Sequence, residues 1–348
     1  MDINMVKISE LSEISKLIGQ DEDIVQAGGG NTSVKLDEQY MLIKSSGYQL
    51  AEITETNGYS IVDYRMICDY FQNNSIDYSD EQKLLSNSLI DGKKPSIETF
   101  LHAITNDYTI HSHPMCVTML AAAENGAEIL KKLFPKAVIV DYATPGIKLA
   151  EKYYQAVSGC PDSSIIFMKN HGLVVSGASA DEVLKLHTDV ILKICKYLDI
   201  DTDAYLYSIK LFNEVHCIDK NKIIYQCKYP DIQKAIAASG GTWKFKFSPD
   251  CVVYCGQEFM YDNGDTNTLL NNYYETYGLP RVVINKNEAY IISDNIAMAK
   301  ECESVLNFTA KLYLNDKNNK LVCLDDNECS FLLNWNSEKY RRNLRNNK

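Results

Sequence analysis

The sequence predicts a mixed α/β protein in two parts, residues 1–200 and residues 204–348. Three observations predict it. Strand-like runs and helical stretches are interleaved throughout the first part. The short acidic segment Asp199 to Asp203 interrupts that pattern. Beyond it the runs are shorter, and turn-rich stretches such as Ser239-Gly240-Gly241 separate them.

Taken in order, Met5, Ile8, Leu11, Ile14, Leu17 and Ile18 have helical spacing. The loop Ala27-Gly28-Gly29-Gly30 leads into two strand-like runs, Thr32 to Leu36 and Tyr40 to Lys44, which read as a hairpin. A strand and then helices follow over residues 59–104, with Asp80 to Leu89 helical and Pro95 opening another helix that carries Glu98 and His102. The strand Tyr108 to His113 comes next, then a helix from Pro114 through Ala123. Ala127 to Leu133 reads as helix, Ala137 to Val140 as strand, and Pro145 to Val157 as helix. Two strands flank His171, and a long amphipathic helix runs from Ala180 to Leu198. In the second part Ile223 to Tyr225 and Cys251 to Tyr254 read as strands. Arg281 to Ile284 and Ala289 to Ile292 form a hairpin, and a helix covers Ala297 to Leu312. A basic tail, Arg341-Arg342-Asn343-Leu344-Arg345, closes the chain and reads as a solvated end.

Composition narrows the function. The chain has 348 residues, 45% of them apolar and 23% charged, as expected of a soluble globular protein. A net charge of −11 argues against nucleic acid or an anionic membrane as partner. No apolar run reaches the roughly 18 residues of a spanning helix. Met1-Asp2-Ile3-Asn4 lacks the basic and apolar regions of an export signal. Eleven cysteines, with no Cys-x-x-Cys, suit a reducing cytoplasm without disulfides.

The candidate chemistry sits on His111 and His113. Alternate strand residues share a face, so these imidazoles project side by side and can take adjacent positions on one metal ion. His171 supplies a third nitrogen and Glu98 a carboxylate. A lone His-x-His strand is more often surface or core than a ligand pair; His171 and Glu98 are what make it a candidate site. Three neutral imidazoles leave a divalent ion its full charge and an open position, as in catalytic sites. A hydroxy-carbonyl substrate could chelate that ion, which as a Lewis acid would stabilise a developing enediolate. Glu98 could then carry the proton. His102, one helical turn on, can orient Glu98 or simply pack. His187 and His216 are assigned no role. Upstream, the backbone of the loop through Gly30 and the side chains of Asn31, Thr32 and Ser33 can surround a phosphate or carboxylate. Ser46 and Gly47 offer a second set of donors. Three glycines before a strand are more often just a tight turn, and neither a Walker loop nor a dinucleotide fingerprint occurs.

In this order the motifs resemble the class II aldolase/adducin family: Gly28-Gly29-Gly30-Asn31-Thr32-Ser33, Met41-Leu42-Ile43-Lys44-Ser45-Ser46-Gly47, Pro95-Ser96-Ile97-Glu98, His111-Ser112-His113 and Asn170-His171-Gly172. The resemblance implies an α/β/α sandwich around a mostly antiparallel central sheet, followed here by a smaller C-terminal α/β domain of unknown role. It implies zinc, or another divalent metal such as manganese or cobalt, on His111, His113 and His171. It implies Glu98 as acid/base and phosphate contacts at Asn31, Ser46, Gly47 and Ser96. It also implies a homo-oligomer, a tetramer by preference, acting on a small sugar or sugar phosphate. The expected reaction is lyase chemistry on a ketose or ketose phosphate. The family also contains epimerases, decarboxylases, dehydratases and adducin-like assembly proteins without the metal set.

Two departures stand out. Ile97 occupies a position where simple sugar-phosphate aldolases have a second serine, so the substrate anion is held differently or is absent, as in a non-phosphorylated or nucleotide-linked sugar. The second part resembles the middle region of bifunctional rhamnulose-phosphate aldolase/dehydrogenase proteins through Phe247 to Gly256, Leu279 to Val283 and Asn334 to Tyr340. The dehydrogenase part of those proteins has no counterpart here, so no nicotinamide cofactor is expected. Arg281 and nearby tyrosines are candidates for substrate contact.

Overall fold

Alternation along one short strand sets up the layers of the first unit. A computed structural model describes residues 5–73, 76–160 and 162–334. They divide into two compact units, the first ending at Thr202 and the second beginning at Asp203.

The first unit opens with helix α1 (Met5–Gly19) and the hairpin β1 (Asn31–Lys35) and β2 (Tyr40–Lys44). Strand β3 (Tyr59–Asp63), helices α2 (Tyr64–Asn73) and α3 (Glu81–Ser88) and strand β4 (Leu89–Gly92) follow. Next come α4 (Thr99–Ala103), β5 (Tyr108–Ser112), α5 (Met115–Ala121), α6 (Gly126–Leu133) and β6 (Val138–Val140). Helix α7 (Ile147–Ser158), strands β7 (Ile165–Met168) and β8 (Gly172–Gly177), and α8 (Ala180–Leu198) complete the unit. The eight strands form one sheet in the order β4-β3-β2-β1-β5-β8-β7-β6. Every pairing is antiparallel except that of β6 with β7.

Because strand side chains alternate, the two faces of β1 meet different layers. The Thr32 hydroxyl lies 2.6 Å from that of Ser15 on α1. Asn31 and Ser33 face the other way, towards the layer that holds α4. On that second face Met41, Ile43, Val62, Phe100, Ile147 and Val174 belong to one buried apolar cluster, so α2, α3, α4 and α7 cover it. Helices α1 and α8 cover the first face. His187 of α8 reaches Ser112 of β5 at 2.8 Å. The result is the α/β/α sandwich the resemblance implies.

Helix ends follow their capping residues. In α8 the Ser179 hydroxyl accepts from the Glu182 amide at 3.2 Å, and Asp199, in a left-handed conformation, ends the helix. Two expected helix starts are corrected. Pro95 opens no helix: it forms a β-bridge with Ser45, and the Ser96 amide donates to the Lys44 carbonyl, so this backbone is committed to the end of β2. Helix α4 starts only at Thr99, which leaves Glu98 at its N-cap position. Likewise α7 begins at Ile147, two residues after Pro145, because Gly146 stands at φ +106°.

The second unit contains α9 (Asp203–His216), β9 (Ile223–Gln226), α10 (Pro230–Ser239), α11 (Pro249–Cys255), β10 (Met260–Asp262), α12 (Thr266–Tyr277), β11 (Val282–Asn285), β12 (Glu288–Ser293), α13 (Ile296–Asn315) and α14 (Asp326–Asn334). Its four strands run β10-β11-β12-β9, with β10 parallel to β11 and the other pairs antiparallel. The expected hairpin is β11 and β12, turning at Lys286 and Asn287. The expected strand Cys251 to Tyr254 is instead helix α11. Ser248 takes the N-cap position and Pro249 the first turn, and a four-residue apolar run fits either structure. Among the described residues no helix is long and apolar enough to cross a membrane. The basic tail and residues 335–340 of the resemblance lie outside the described residues.

One buried histidine carries a pH prediction. His187 is fully buried, its Nδ1 meets no partner, and burial pushes its pKa down from 6.5 to about 3. The unfolded chain therefore binds a proton that the folded chain refuses. Stability is complete above the unfolded value of 6.5 and declines as pH falls towards the folded value. The slope for this group approaches about 1 kcal/mol per pH unit. Urea unfolding at about pH 7 and about pH 5 should show the decline, and His187→Gln should remove part of it. An unchanged slope in the variant would refute the assignment.

Candidate functional site

His111 sits at the centre of the sheet, paired across to Asn31 on β1 and Val174 on β8. That register puts Asn31 and His111 on the same face. His113, two residues on, lies just past the end of β5, and its amide donates to the Ile24 carbonyl at 3.0 Å. His171 occupies the three-residue connection between β7 and β8, where Asn170 adopts a left-handed φ of +53°. The antiparallel neighbours β5 and β8 thus bring residues sixty positions apart to one point. Ring centroids are 4.8 Å apart for His111–His113, 5.0 Å for His111–His171 and 5.3 Å for His113–His171. One ligand atom from each of the three lies within 4.8 Å of the others.

Glu98 completes the cluster from the edge of α4. Its Oε1 is 3.0 Å from His171 Nε2 and its Oε2 is 3.3 Å from His111 Nε2. The Asn31 side-chain amide donates to Oε2, which fixes the direction of the carboxylate. His111 Nδ1 lies 2.9 Å from the Leu173 carbonyl, an acceptor only, so Nδ1 carries the proton. Its Nε2 then directs a lone pair at the cluster, 3.0 Å from His113 Nε2. A metal-ligating histidine needs this kind of anchor, because the carbonyl fixes the ring's tautomer and orientation.

The electrostatics ask for one positive charge. Burial raises the pKa of Glu98, but His111 and then His171 outweigh it and hold the carboxyl well below its usual range. Burial opposes charge on His111, and Glu98 reverses this and raises its pKa. His113 is pushed down to about 3, by burial first and then by its histidine neighbours. Two imidazole nitrogens facing each other across 3.0 Å, beside a carboxylate, repel unless a proton or a cation lies among them. The donor set, three nitrogens and a carboxylate, fits a divalent cation.

The remaining expected residues divide. Ser96, Ser46 and Gly47 come together, because the bridge Ser45↔Pro95 lays their two segments side by side. The Ser96 hydroxyl accepts from the Glu98 amide at 3.3 Å, and Ser46 and Gly47 are exposed. The Ser46 amide is already used by the Lys94 carbonyl. Asn31 is nearby, and its side-chain amide donates to Glu98. Thr32 is a correction to the expected anion loop. Thr32 is buried on the far face against Ser15. Gly30 is buried at φ +66°, and a Cβ there would come within 3.1 Å of the His111 carbonyl. The loop is shaped for close packing on the histidines: a Cβ on Gly29 would lie 3.1 Å from the His113 ring.

His102 proves to be packed. It is fully buried, its Nδ1 is 2.7 Å from the Ser33 hydroxyl, and burial pushes it down to about 3. His187 packs behind β5, and His216 Nε2 donates to the Lys222 carbonyl at 2.7 Å. Lys44 escaped sequence reasoning. Buried at the end of β2, it donates to the Gly28 carbonyl at 3.0 Å and ties the glycine loop to the sheet. A lysine closing the apolar run Met41-Leu42-Ile43 was the available signal.

Gly172 tests this packing. A Cβ there would sit 2.4 Å from the Ser112 carbonyl oxygen and 2.8 Å from His113 Cδ2. Gly172→Ala should therefore cost about 2 kcal/mol of stability and weaken metal binding, because β8 and the His113 ring must part. Chemical denaturation and a metal titration check both; wild-type values in each would contradict the geometry.

The family model described as the class II aldolase and adducin N-terminal domain matches residues 9–196. The Bacillus subtilis (strain 168) protein described as uncharacterized oxidoreductase YuxG is 30% identical over 209 residues, 55% of this chain and 30% of that protein. The chain thus spans less than a third of that relative's length. Methylthioribulose-1-phosphate dehydratase of Pectobacterium atrosepticum is 26% identical over 177 residues, 45% of this chain and 76% of that one. The solved N-terminal class II aldolase domain of a conserved Thermoplasma acidophilum protein is 25% identical with a TM-score of 0.50, covering 57% of this chain and 94% of that domain.

Proposed function

The chain belongs to the class II aldolase and adducin family, and from that premise we propose that it is a metal-dependent lyase acting on a ketose or ketose phosphate. The observation that carries this reading is the convergence of His111, His113 and His171 on the Asn31-anchored carboxylate of Glu98. A divalent metal held by the three imidazoles, zinc by preference for such a donor set, would supply Lewis-acid polarisation of a substrate carbonyl.

The chain's own residues do the rest. Glu98, ionised at neutral pH, takes the proton of the hydroxyl beside the breaking carbon–carbon bond. The bond's electron pair passes to the neighbouring carbonyl, an aldehyde leaves, and the proton returns from Glu98 to carbon. Asn31 keeps Oε2 aimed while this happens. Ser46, Gly47 and Ser96 would hold a phosphate or another polar end of the substrate, a role supported by the bridge that lays their segments side by side. Ile97 offers no donor to it. The protein would work as a homo-oligomer in the cytoplasm.

Dehydration is the second reading, favoured by the similarity to a methylthioribulose-phosphate dehydratase. It would use the same base, with Glu98 taking a proton from the carbon next to the carbonyl and the hydroxyl on the following carbon leaving as water. The test is incubation of metal-loaded protein with phosphorylated and free ketoses, followed by NMR of the products. An aldehyde with a hydroxyketone fragment supports the lyase, and loss of water supports the dehydratase. No turnover of any ketose by protein with metal bound would sink both and favour a non-catalytic, adducin-like role.

A further inference from the structure

The second unit has a cleft of its own, of about 270 Å³. Two stretches far apart in sequence form its walls: Val253 and Tyr254 of α11, and Pro280 with Arg281 leading into β11. Ile291 of β12 and Met298 of α13 add apolar surface. The volume is close to the lower end of small-molecule sites, roughly 300 Å³.

Arg281 is the group the fold leaves partly unused. One guanidinium nitrogen donates to the Val253 carbonyl and, at 3.4 Å, to that of Tyr254, so it caps the C-terminal end of α11. A guanidinium offers five N–H donors in a rigid fork and keeps its charge at any working pH. Among the described residues Arg281 makes no other hydrogen bond and pairs with no carboxylate. Lys222, the other cation of the cleft, is already matched by Asp294 at 2.5 Å and Asp219 at 3.5 Å. Glu301 is exposed at the rim and forms no ion pair with Arg281. A half-buried, permanent charge with spare donors, set over an apolar wall, is a receptor for an anion with a non-polar body.

We infer that this cleft binds a small oxyanion-bearing metabolite, a carboxylate or a phosphate monoester, through the free side of the Arg281 fork. The inference concerns the second unit alone and stands whatever reaction the first unit catalyses.

The chain contains five arginines, so its arginine Nε–H NMR spectrum is simple, and the Arg281 signal is the one missing from Arg281→Lys. The full-length protein is titrated at constant ionic strength with inorganic phosphate and, separately, with benzoate. The expected result is a saturable shift of the Arg281 signal with a Kd on the order of 1 mM for one of them, with the Arg65 signal unmoved. Whichever probe saturates names the oxyanion. Calorimetry on Arg281→Lys, which keeps the charge but loses the fork, should show binding weakened about tenfold, with an unchanged melting temperature proving the fold intact. If neither probe saturates at Arg281, or if the folded lysine variant binds as tightly as wild type, Arg281 is a helix cap only and the inference fails.

Discussion

Replacing His111 by alanine is expected to strip the first unit of its divalent metal and to lower turnover by at least about a thousandfold, some 4 kcal/mol of barrier. The size follows from how this side chain is held. It has no solvent exposure, its Nδ1 is anchored on the Leu173 carbonyl, and its Nε2 meets both His113 and Glu98. Two imidazoles then remain where the proposed site has three, and Glu98 would have to serve as a ligand instead of as the base. His113→Ala should follow the same course with a smaller cost to the fold, because His113 lies beyond the last paired residue of β5. The measurements are metal content by mass spectrometry, the rise in melting temperature on adding zinc, and turnover of the best ketose. His111→Ala protein that is folded, retains stoichiometric metal and turns over normally would rule out the triad as the metal site. Metal loss with turnover intact would rule out metal-dependent chemistry while leaving the site.

Much of this centre is legible in the sequence, for reasons that differ by residue. The period-2 rule needs only a strand to put His111 and His113 together, and Tyr108 to Ser112 is one. Helix α8 was readable because its stripe is long and its ends carry Ser179 and Asp199. What failed was local conformation that tertiary pairing decides. Pro95 is a good helix starter by propensity, yet its neighbours are claimed by Lys44 and Ser45 of an element fifty residues earlier. Thr32 and Asn31 look alike as donors in a list of letters, and only the register of β1 against β5 sends one to Ser15 and the other to Glu98. In the second unit, Cys251 to Tyr254 is too short for periodicity to separate strand from helix, and no expected element corresponds to α9, α10, α12, α14 or β10. The glycine loop also answers to packing that no motif shows: a Cβ on Gly29 would meet the His113 ring.

The register that claims Asn31 also makes the second large prediction specific. Glu98→Gln should keep the metal and lose the chemistry. The substitution conserves shape, so the Asn31 amide can still donate to the remaining oxygen, and α4 still starts at Thr99. It removes the charge that the cluster is built around, and among the described residues no other carboxylate touches His111 and His171. A general base of this kind contributes about a hundred- to ten-thousandfold to rate, so kcat should fall by that range. KM should change little, because the expected substrate contacts at Ser46, Gly47 and Ser96 are untouched. Asn31→Ala gives the intermediate case: the carboxylate stays but loses its guide, and kcat should fall about tenfold, the worth of one charge-assisted hydrogen bond. The ordering of the two variants matters more than either value. If Asn31→Ala were as damaging as Glu98→Gln while metal stayed bound, Asn31 would have to touch substrate itself. If Glu98→Gln kept wild-type kcat, the proton would have to be moved by another group, and the lyase proposal would lose its base.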